Sequence, residues 1–329
     1  MRTGTRTKSA LLIGAGKIGA GYDSVATYYG PSLSHLRALQ QSVNVEYIDI
    51  VDLDERSLAE VRGRPKVRKC CNTLEKQLLI DSDVIVIASP TSTHADLLSL
   101  ISGTNTSDGP IICEKPTSSS ETDLVVVDSL PSQFKNRIFV NYSRQWSKDH
   151  IKIGKLISSG KLGALKFVRC LYDKGILNNG VHLIDILKTL LGNQIDLNWI
   201  GNPIFDNGPE NPTLSFQITF GSVPVFVIGN DARNYSIFEM KFFFEGGTIE
   251  LMDSGRELVE EQTKSHSIYP DYTVLEQTTR RTTDLTHAMD KMYQEILGEK
   301  ADSNLQNAID TERFCLQILR SHKNGQGQQ

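Results

Sequence analysis

Three glycines set directly behind an apolar run constrain this chain more than any other feature. Ala10-Leu11-Leu12-Ile13 reads as a buried strand, and Gly14-Ala15-Gly16-Lys17-Ile18-Gly19 follows at once. In a strand–turn–helix of this kind, Gly14 allows the tight turn and Gly16 lets a ligand approach the backbone. Gly19 lets helix and strand pack closely. The helix start, with Lys17 and Ile18 in its first turn, then offers free N–H groups to the pyrophosphate of a dinucleotide. The glycine pattern alone is weak, but the next strand, 45–51, runs into Asp52, which is placed to bond the adenosine ribose hydroxyls. A carboxylate there repels a 2′-phosphate, so NAD is favoured, with NADP possible. Asp54 suits a turn role better.

The interval from Gly19 to Asp52 is longer than one βαβ unit needs. The surplus is residues 21–31, Gly-Tyr-Asp-Ser-Val-Ala-Thr-Tyr-Tyr-Gly-Pro. It reads as a neutral insertion, or as a loop near the phosphates that shapes the entrance to a site. Further strands are expected at 83–88, 110–113 and 137–140. Helices are expected at 34–41, 55–61 and 93–101. Strands alternating with helices imply a doubly wound parallel sheet. The pattern changes near residue 142, which sets domains at 1–142 and 143–329. In the second, helices are expected at 148–158, 181–191 (capped by Asn179), 284–297 and 304–321, with a strand at 165–171. Residues 213–220 and 238–244 alternate apolar and polar, and Gly246-Gly247 reads as a hairpin turn into 248–252. The expected fold class is α/β: a Rossmann domain followed by an α+β domain with a large, mostly antiparallel sheet.

A chain of 329 residues suits two domains, and 39% hydrophobic with 22% charged residues fits a soluble globular protein. No apolar run approaches the roughly 20 residues of a membrane span. The basic start shows no signal-peptide pattern. The five cysteines, with no Cys-x-x-Cys, argue against a disulfide framework or a metal site and fit a cytoplasmic location. A net charge of −4 without a long basic run excludes nucleic acid as an expected partner. Asn141-Tyr142-Ser143 and Asn234-Tyr235-Ser236 match the glycosylation pattern by chance under that reading.

Five short segments, in order, resemble one family. They are Gly14–Gly19; Ala88-Ser89-Pro90-Thr91-Ser92-Thr93-His94; Cys113-Glu114-Lys115-Pro116; Asn141-Tyr142-Ser143-Arg144; and Gly180-Val181-His182-Leu183-Ile184-Asp185. Together they resemble the glucose-fructose oxidoreductase, inositol dehydrogenase and rhizopine-catabolism family (Gfo/Idh/MocA), over nearly the whole chain. The resemblance implies a nicotinamide dinucleotide cofactor bordered by Ser89, Pro90, Thr91 and His94, with Glu114 and Lys115 beside the nicotinamide. It also implies an open C-terminal sheet that builds homodimers or homotetramers, and a sugar-type substrate met by Lys115, Asn141, Arg144, Asn178, His182 and Asp185.

Oxidising a secondary alcohol requires a hydride acceptor and a base. A histidine suits the base, and an ammonium steadies the developing alkoxide. By resemblance His182 is the acid/base and Lys115 the orienting cation. Asp185 shares a helix face with His182 and either binds a hydroxyl or supports the imidazole. Many family members carry Asp four residues before the histidine, where this chain has Asn178. Asn supplies no charge, so His182 is expected to be a weaker base. Turnover on a sugar, cyclitol or nucleotide sugar is favoured, in polysaccharide or sugar-nucleotide biosynthesis by analogy. The alternatives are a sensor that binds dinucleotide without turnover, or redox-assisted hydrolysis or elimination on a sugar. Arg144 is expected to meet a phosphate or acidic group if it faces the substrate.

Overall fold

The computed structural model describes residues 7–24, 28–193 and 195–326, the side chains of 324–326 excepted. Residues 1–6, residues 25–27 of the 21–31 loop and the end of the tail lie outside the described residues. The chain forms two units, 1–143 with 287–313 and 144–286 with 314–329. The expected single boundary at 142/143 therefore captures one crossing only. The helix Ala288–Leu297 goes back to the first unit because it buries an apolar stripe (Ala288, Met292, Tyr293, Ile296, Leu297) against the helix His35–Gln41.

The first unit holds six parallel strands: β1 (Lys8–Ile13), β2 (Val45–Val51), β3 (Val67–Cys71), β4 (Val84–Ile87), β5 (Ile111–Cys113) and β6 (Ile138–Val140). Their order is β3-β2-β1-β4-β5-β6, with the reversal between β1 and β4. Ligands bind outside the carboxyl ends of the strands at such a reversal. β4, β5 and β6 are buried along their whole length, which is why they read as continuous apolar runs. The edge strand β3, Val-Arg-Lys-Cys-Cys, was not expected, since it carries charge and lies half open. The glycine loop opens only a five-residue π-type turn, Lys17–Gly21, rather than a long helix. The inserted residues follow, and the helix proper starts at His35 behind the N-cap Ser34.

The two described ends of the insertion are tied down. Asp23 is buried and accepts from Leu33 N (2.7 Å), Ser34 N (2.9 Å) and Ser34 Oγ (2.5 Å). Asp290 Oδ2 accepts from Ser32 N at 3.1 Å.

The second unit is built on eight strands: β7 (Leu165–Tyr172), β8 (Ile195–Ile204), β9 (Thr213–Phe220), β10 (Val223–Gly229), β11 (Glu239–Phe244), β12 (Gly247–Met252), β13 (Glu257–Ser265) and β14 (Thr273–Thr282). The order is β14-β13-β12-β11-β7-β10-β9-β8, antiparallel except for the parallel pair β7 and β10. One face is buried through Val168, Cys170, Leu214, Phe216, Ile218, Met240 and Phe242. The β11–β12 turn is Glu245-Gly246, with Gly247 already paired to Phe244. This is one residue earlier than expected, because Gly247 lies against β13, where a Cβ would stand 2.1 Å from the Glu261 carbonyl oxygen. No described helix is long and apolar enough to cross a membrane.

Candidate active site

In the first unit the glycine loop has the physical properties its pattern implies. Gly14 has φ +100°, and a Cβ there would stand 2.6 Å from the Ala88 backbone. A Cβ on Gly19 would fall 2.1 Å from the Gly14 carbonyl oxygen, whereas one on Gly16 meets nothing within 4 Å. The loop is thus closed on two glycines and open on the third, where a ligand's pyrophosphate would need room. Lys17, Ile18 and Gly19 begin the short turn, whose first N–H groups have no partner within it. Asp52 Oδ2 accepts from Ala15 N at 2.6 Å, and its Oδ1 from Asp54 N at 2.8 Å. The carboxylate therefore also braces the glycine loop and keeps lone pairs for hydroxyls. Asp54 caps the helix Glu55–Val61.

After β4, Ser89 Oγ contacts Thr93 Oγ1 at 2.7 Å, and Thr93 Oγ1 donates to the Pro90 carbonyl at 2.8 Å. Ser89 and Thr91 are half-buried and Pro90 is exposed, so this turn is open to a ligand. His94 is placed differently. Its ring is buried, with Nδ1 2.8 Å from the Pro116 carbonyl oxygen and Nε2 2.8 Å from that of Ser89. It fastens the Ser89 turn to the Lys115-Pro116 segment, and in this arrangement neither ring nitrogen is left for a ribose hydroxyl.

Glu114 follows β5 and is buried. Its Oε1 accepts from Asn141 Nδ2 at 2.7 Å and lies 2.9 Å from His35 Nε2. His35 Nδ1 in turn lies 2.8 Å from the Tyr293 hydroxyl. Burial pushes the Glu114 carboxyl up, but the His35 and Asn141 bonds and the Lys115 charge outweigh it and hold it below the usual glutamate value. Lys115, half-buried, comes next in the chain. The segment beyond it is clamped by the fully buried Glu312, which accepts from Thr117 N (2.8 Å) and Thr117 Oγ1 (2.7 Å). Sequence reasoning passed over His35, Tyr293 and Glu312.

In the second unit, Asn178 lies in a π-type turn, Ile176–Gly180, that runs straight into the helix Val181–Leu191. Asn179 does not cap that helix, as expected from sequence, but donates to Asp173 Oδ1 at 2.8 Å. The preceding turn already occupies the place of a cap. His182 is half-buried in the first turn. Asp185, on the same face, is buried and accepts from Gln145 Nε2 at 2.6 Å, a partner the sequence did not suggest. Arg144 does not present its guanidinium to solvent. It is buried 3.9 Å over the Phe238 ring and donates to the Ser254 carbonyl at 3.0 Å. Burial lowers its pKa to about 10, the Asp185 charge opposing that fall. Asp185, one turn along the helix from His182, thus has the half-buried Gln145 amide as a hydrogen-bond donor and feels the charge of the buried Arg144.

A sequence profile described as the oxidoreductase family with NAD-binding Rossmann fold matches residues 8–142. Inositol 2-dehydrogenase from Pseudarthrobacter chlorophenolicus is 29% identical over 205 residues, 58% of this chain and 56% of that protein. The chain therefore spans only a little over half the length of the curated relatives it matches. Among solved structures, a dehydrogenase from Clostridium difficile superposes with a TM-score of 0.72 at 12% identity, covering 96% of this chain and 100% of that one. The transcriptional regulator Gal80p from Kluyveromyces lactis also reaches 0.72, at 16% identity, covering 98% and 91%. An enzyme and a regulator match equally well, so these likenesses establish the fold and leave the activity to the site residues. Residues 8–142 thus match the NAD-binding Rossmann domain of the Gfo/Idh/MocA oxidoreductase family, and the solved structures extend the likeness of fold, without a likeness of sequence, to the rest of the chain.

Proposed function

We propose that this chain is an NAD(P)-dependent oxidoreductase acting on a secondary alcohol or ketone of a sugar, cyclitol or nucleotide sugar. The observation that carries this is Lys115 set directly after a Glu114 held by His35 and Asn141, at the carboxyl end of β5 in an NAD-binding domain. A dehydrogenase needs a fixed cation where the alkoxide develops, and a buried, hydrogen-bonded neighbour fixes the backbone that carries it. A nicotinamide bound there would supply the hydride acceptor in oxidation and the hydride donor in reduction, while His182 would take up or return the hydroxyl proton. Asp185, oriented by Gln145, supports the helix turn that carries His182. Asp52 favours NAD. Arg144 has a bracing role here, and substrate contact falls to Asn178, His182 and Lys115.

The test is purified protein with NAD or NADH and a panel of cyclitols, keto-sugars and nucleotide keto-sugars, followed by absorbance of the reduced cofactor. Turnover is expected, with loss of about 10²-fold or more in His182→Ala and unchanged dinucleotide affinity. Full activity in His182→Ala overturns the assignment. The second reading, a non-catalytic binder, is favoured by Asn178 alone. Tight dinucleotide binding with no turnover on the whole panel would select it.

The same proposal includes a homo-oligomer joined through the outer face of the eight-stranded sheet. There Phe167 stacks on Phe243 with centroids 4.3 Å apart, beside the exposed Phe226, Ile228 and Trp199. Ion pairs from Lys241 to Glu250 (3.1 Å) and Glu261 (2.8 Å) fix the charges of that face in place. The five cysteines are all free, which supports a reducing, cytoplasmic compartment.

A further inference from the structure

Asn141, the first residue after β6, is buried, and its Nδ2 donates to Glu114 Oε1 at 2.7 Å. An ionised carboxylate only accepts, so the amide nitrogen must face Glu114 and the amide oxygen must face away. That oxygen, Asn141 Oδ1, is buried without a hydrogen-bond partner among the described residues. An unmet buried acceptor is costly and calls for a donor that this part of the chain does not supply. Nor is the amide free to turn. Glu114 is shared with His35, and His35 is held on its other side by the Tyr293 hydroxyl at 2.8 Å. With Glu114 accepting, the imidazole proton sits on Nε2, and Nδ1 accepts from Tyr293. Every bond in the row then has a direction, and the row ends on Asn141 Oδ1.

The strand order indicates which donor belongs there. The space over Gly16 suits the pyrophosphate at the end of β1, and Asp52 marks the adenosine side at the end of β2. The nicotinamide half must then extend the other way, over the ends of β4, β5 and β6, where Asn141 stands. The hydrogen-bond donor on that ring is the carboxamide NH₂. We propose that Asn141 Oδ1 accepts the carboxamide N–H of the nicotinamide, and that His35 and Tyr293 are positioning residues that hold Asn141 in place through Glu114. This rests on dinucleotide binding by the first unit, and it gives Asn141 a cofactor role where sequence suggested a substrate one. Fixing the carboxamide fixes the ring about its glycosidic bond, and so selects which ring face meets the substrate.

The test compares dissociation constants, by fluorescence or calorimetric titration, for NADH, its 3-acetylpyridine analogue, its thionicotinamide analogue and ADP-ribose. The acetyl group keeps a carbonyl oxygen but has no N–H, whereas the thioamide keeps its NH₂. The acetylpyridine analogue is expected to bind about tenfold more weakly than NADH, with the thionicotinamide analogue close to NADH. In Asn141→Ala the NADH-to-acetylpyridine ratio is expected to fall to about one, with ADP-ribose affinity unchanged. His35→Phe, which cannot hold Glu114, should reduce the ratio in the same direction, an effect that general destabilisation would not produce. Equal binding of NADH and the acetylpyridine analogue by the unaltered protein overturns the proposal, whether or not the variants fold. So does a ratio that persists in Asn141→Ala. Absence of ADP-ribose binding would instead remove the dinucleotide site itself, a failure distinguishable from the other two.

Discussion

Glu312→Gln tests how the Lys115 segment is held. Glu312 is fully buried and takes the Thr117 N–H, the Thr117 hydroxyl and, at 3.3 Å, the Tyr142 hydroxyl. Burial pushes its carboxyl from the ordinary 4.5 up to about 7, despite those donors. The folded protein therefore holds this proton more tightly than the unfolded chain. The stabilisation is complete below the ordinary glutamate range and is lost as the pH rises through 7. Tenfold in proton affinity is about 1.4 kcal/mol, so the loss amounts to about 3 kcal/mol. Cys113, whose thiol is raised by burial and then by Glu312, stays neutral throughout and does not contribute. Glutamine keeps the shape and removes the proton, so the stability of the original chain relative to Glu312→Gln should decline by about 3 kcal/mol between about pH 4.5 and 8. Urea melts followed by far-UV circular dichroism measure this. Tryptophan fluorescence is no substitute, because Trp146 and Trp199 both lie in the second unit. A difference that stays constant within about 0.5 kcal/mol across the range would refute the reasoning and place Glu312 among ordinary carboxylates.

Gly16→Ala and Gly19→Ala should separate binding from stability. Gly19→Ala drives a methyl into the Gly14 carbonyl and should cost about 1–3 kcal/mol or more in thermal melts. Gly16→Ala meets no protein atom, so the melt should hardly change while NADH affinity falls. Asp52→Ala should weaken NADH by about tenfold and NADPH less, as read by titration. Phe226→Asp, on the open sheet face, should shift sedimentation toward the monomer with the melting profile of each unit retained.

The parts of this protein that were legible from sequence are those whose cause is local. The Gly14–Gly19 loop, Asp52 and β4 each announce themselves within a few residues. The strands β9 and β11 do so by strict alternation, with Leu214, Phe216 and Ile218, and Met240, Phe242 and Phe244, buried as that alternation predicts. The strands β13 and β14 were missed because their side chains are mostly polar or charged. They are held by backbone pairing and by cross-strand pairs such as Arg280–Glu257 at 2.7 Å. His35 looked like an ordinary helix residue because Glu114 and Tyr293, the groups that give it meaning, lie far away in sequence. Glu312 did leave a trace: it interrupts the apolar stripe of Leu305, Ala308, Ile309, Cys315, Leu316 and Leu319 in the last helix. A carboxylate in such a stripe needs partners, so the residue types alone mark Glu312 as a group with a structural task.

The return of residues 287–313 to the first unit sets a timetable for the newly made chain. By the time β6 has left the ribosome, all six parallel strands exist, yet His35 lacks Tyr293 and Thr117 lacks Glu312. The β6 backbone also waits, since Val140 N and O are bonded by Asn304 at 2.7 and 2.9 Å. The dinucleotide domain is therefore finished only when the chain has been made through residue 313, after the whole eight-stranded sheet. A fragment cut at residue 143 should bind cofactor poorly, and adding residues 287–313 in trans should restore binding.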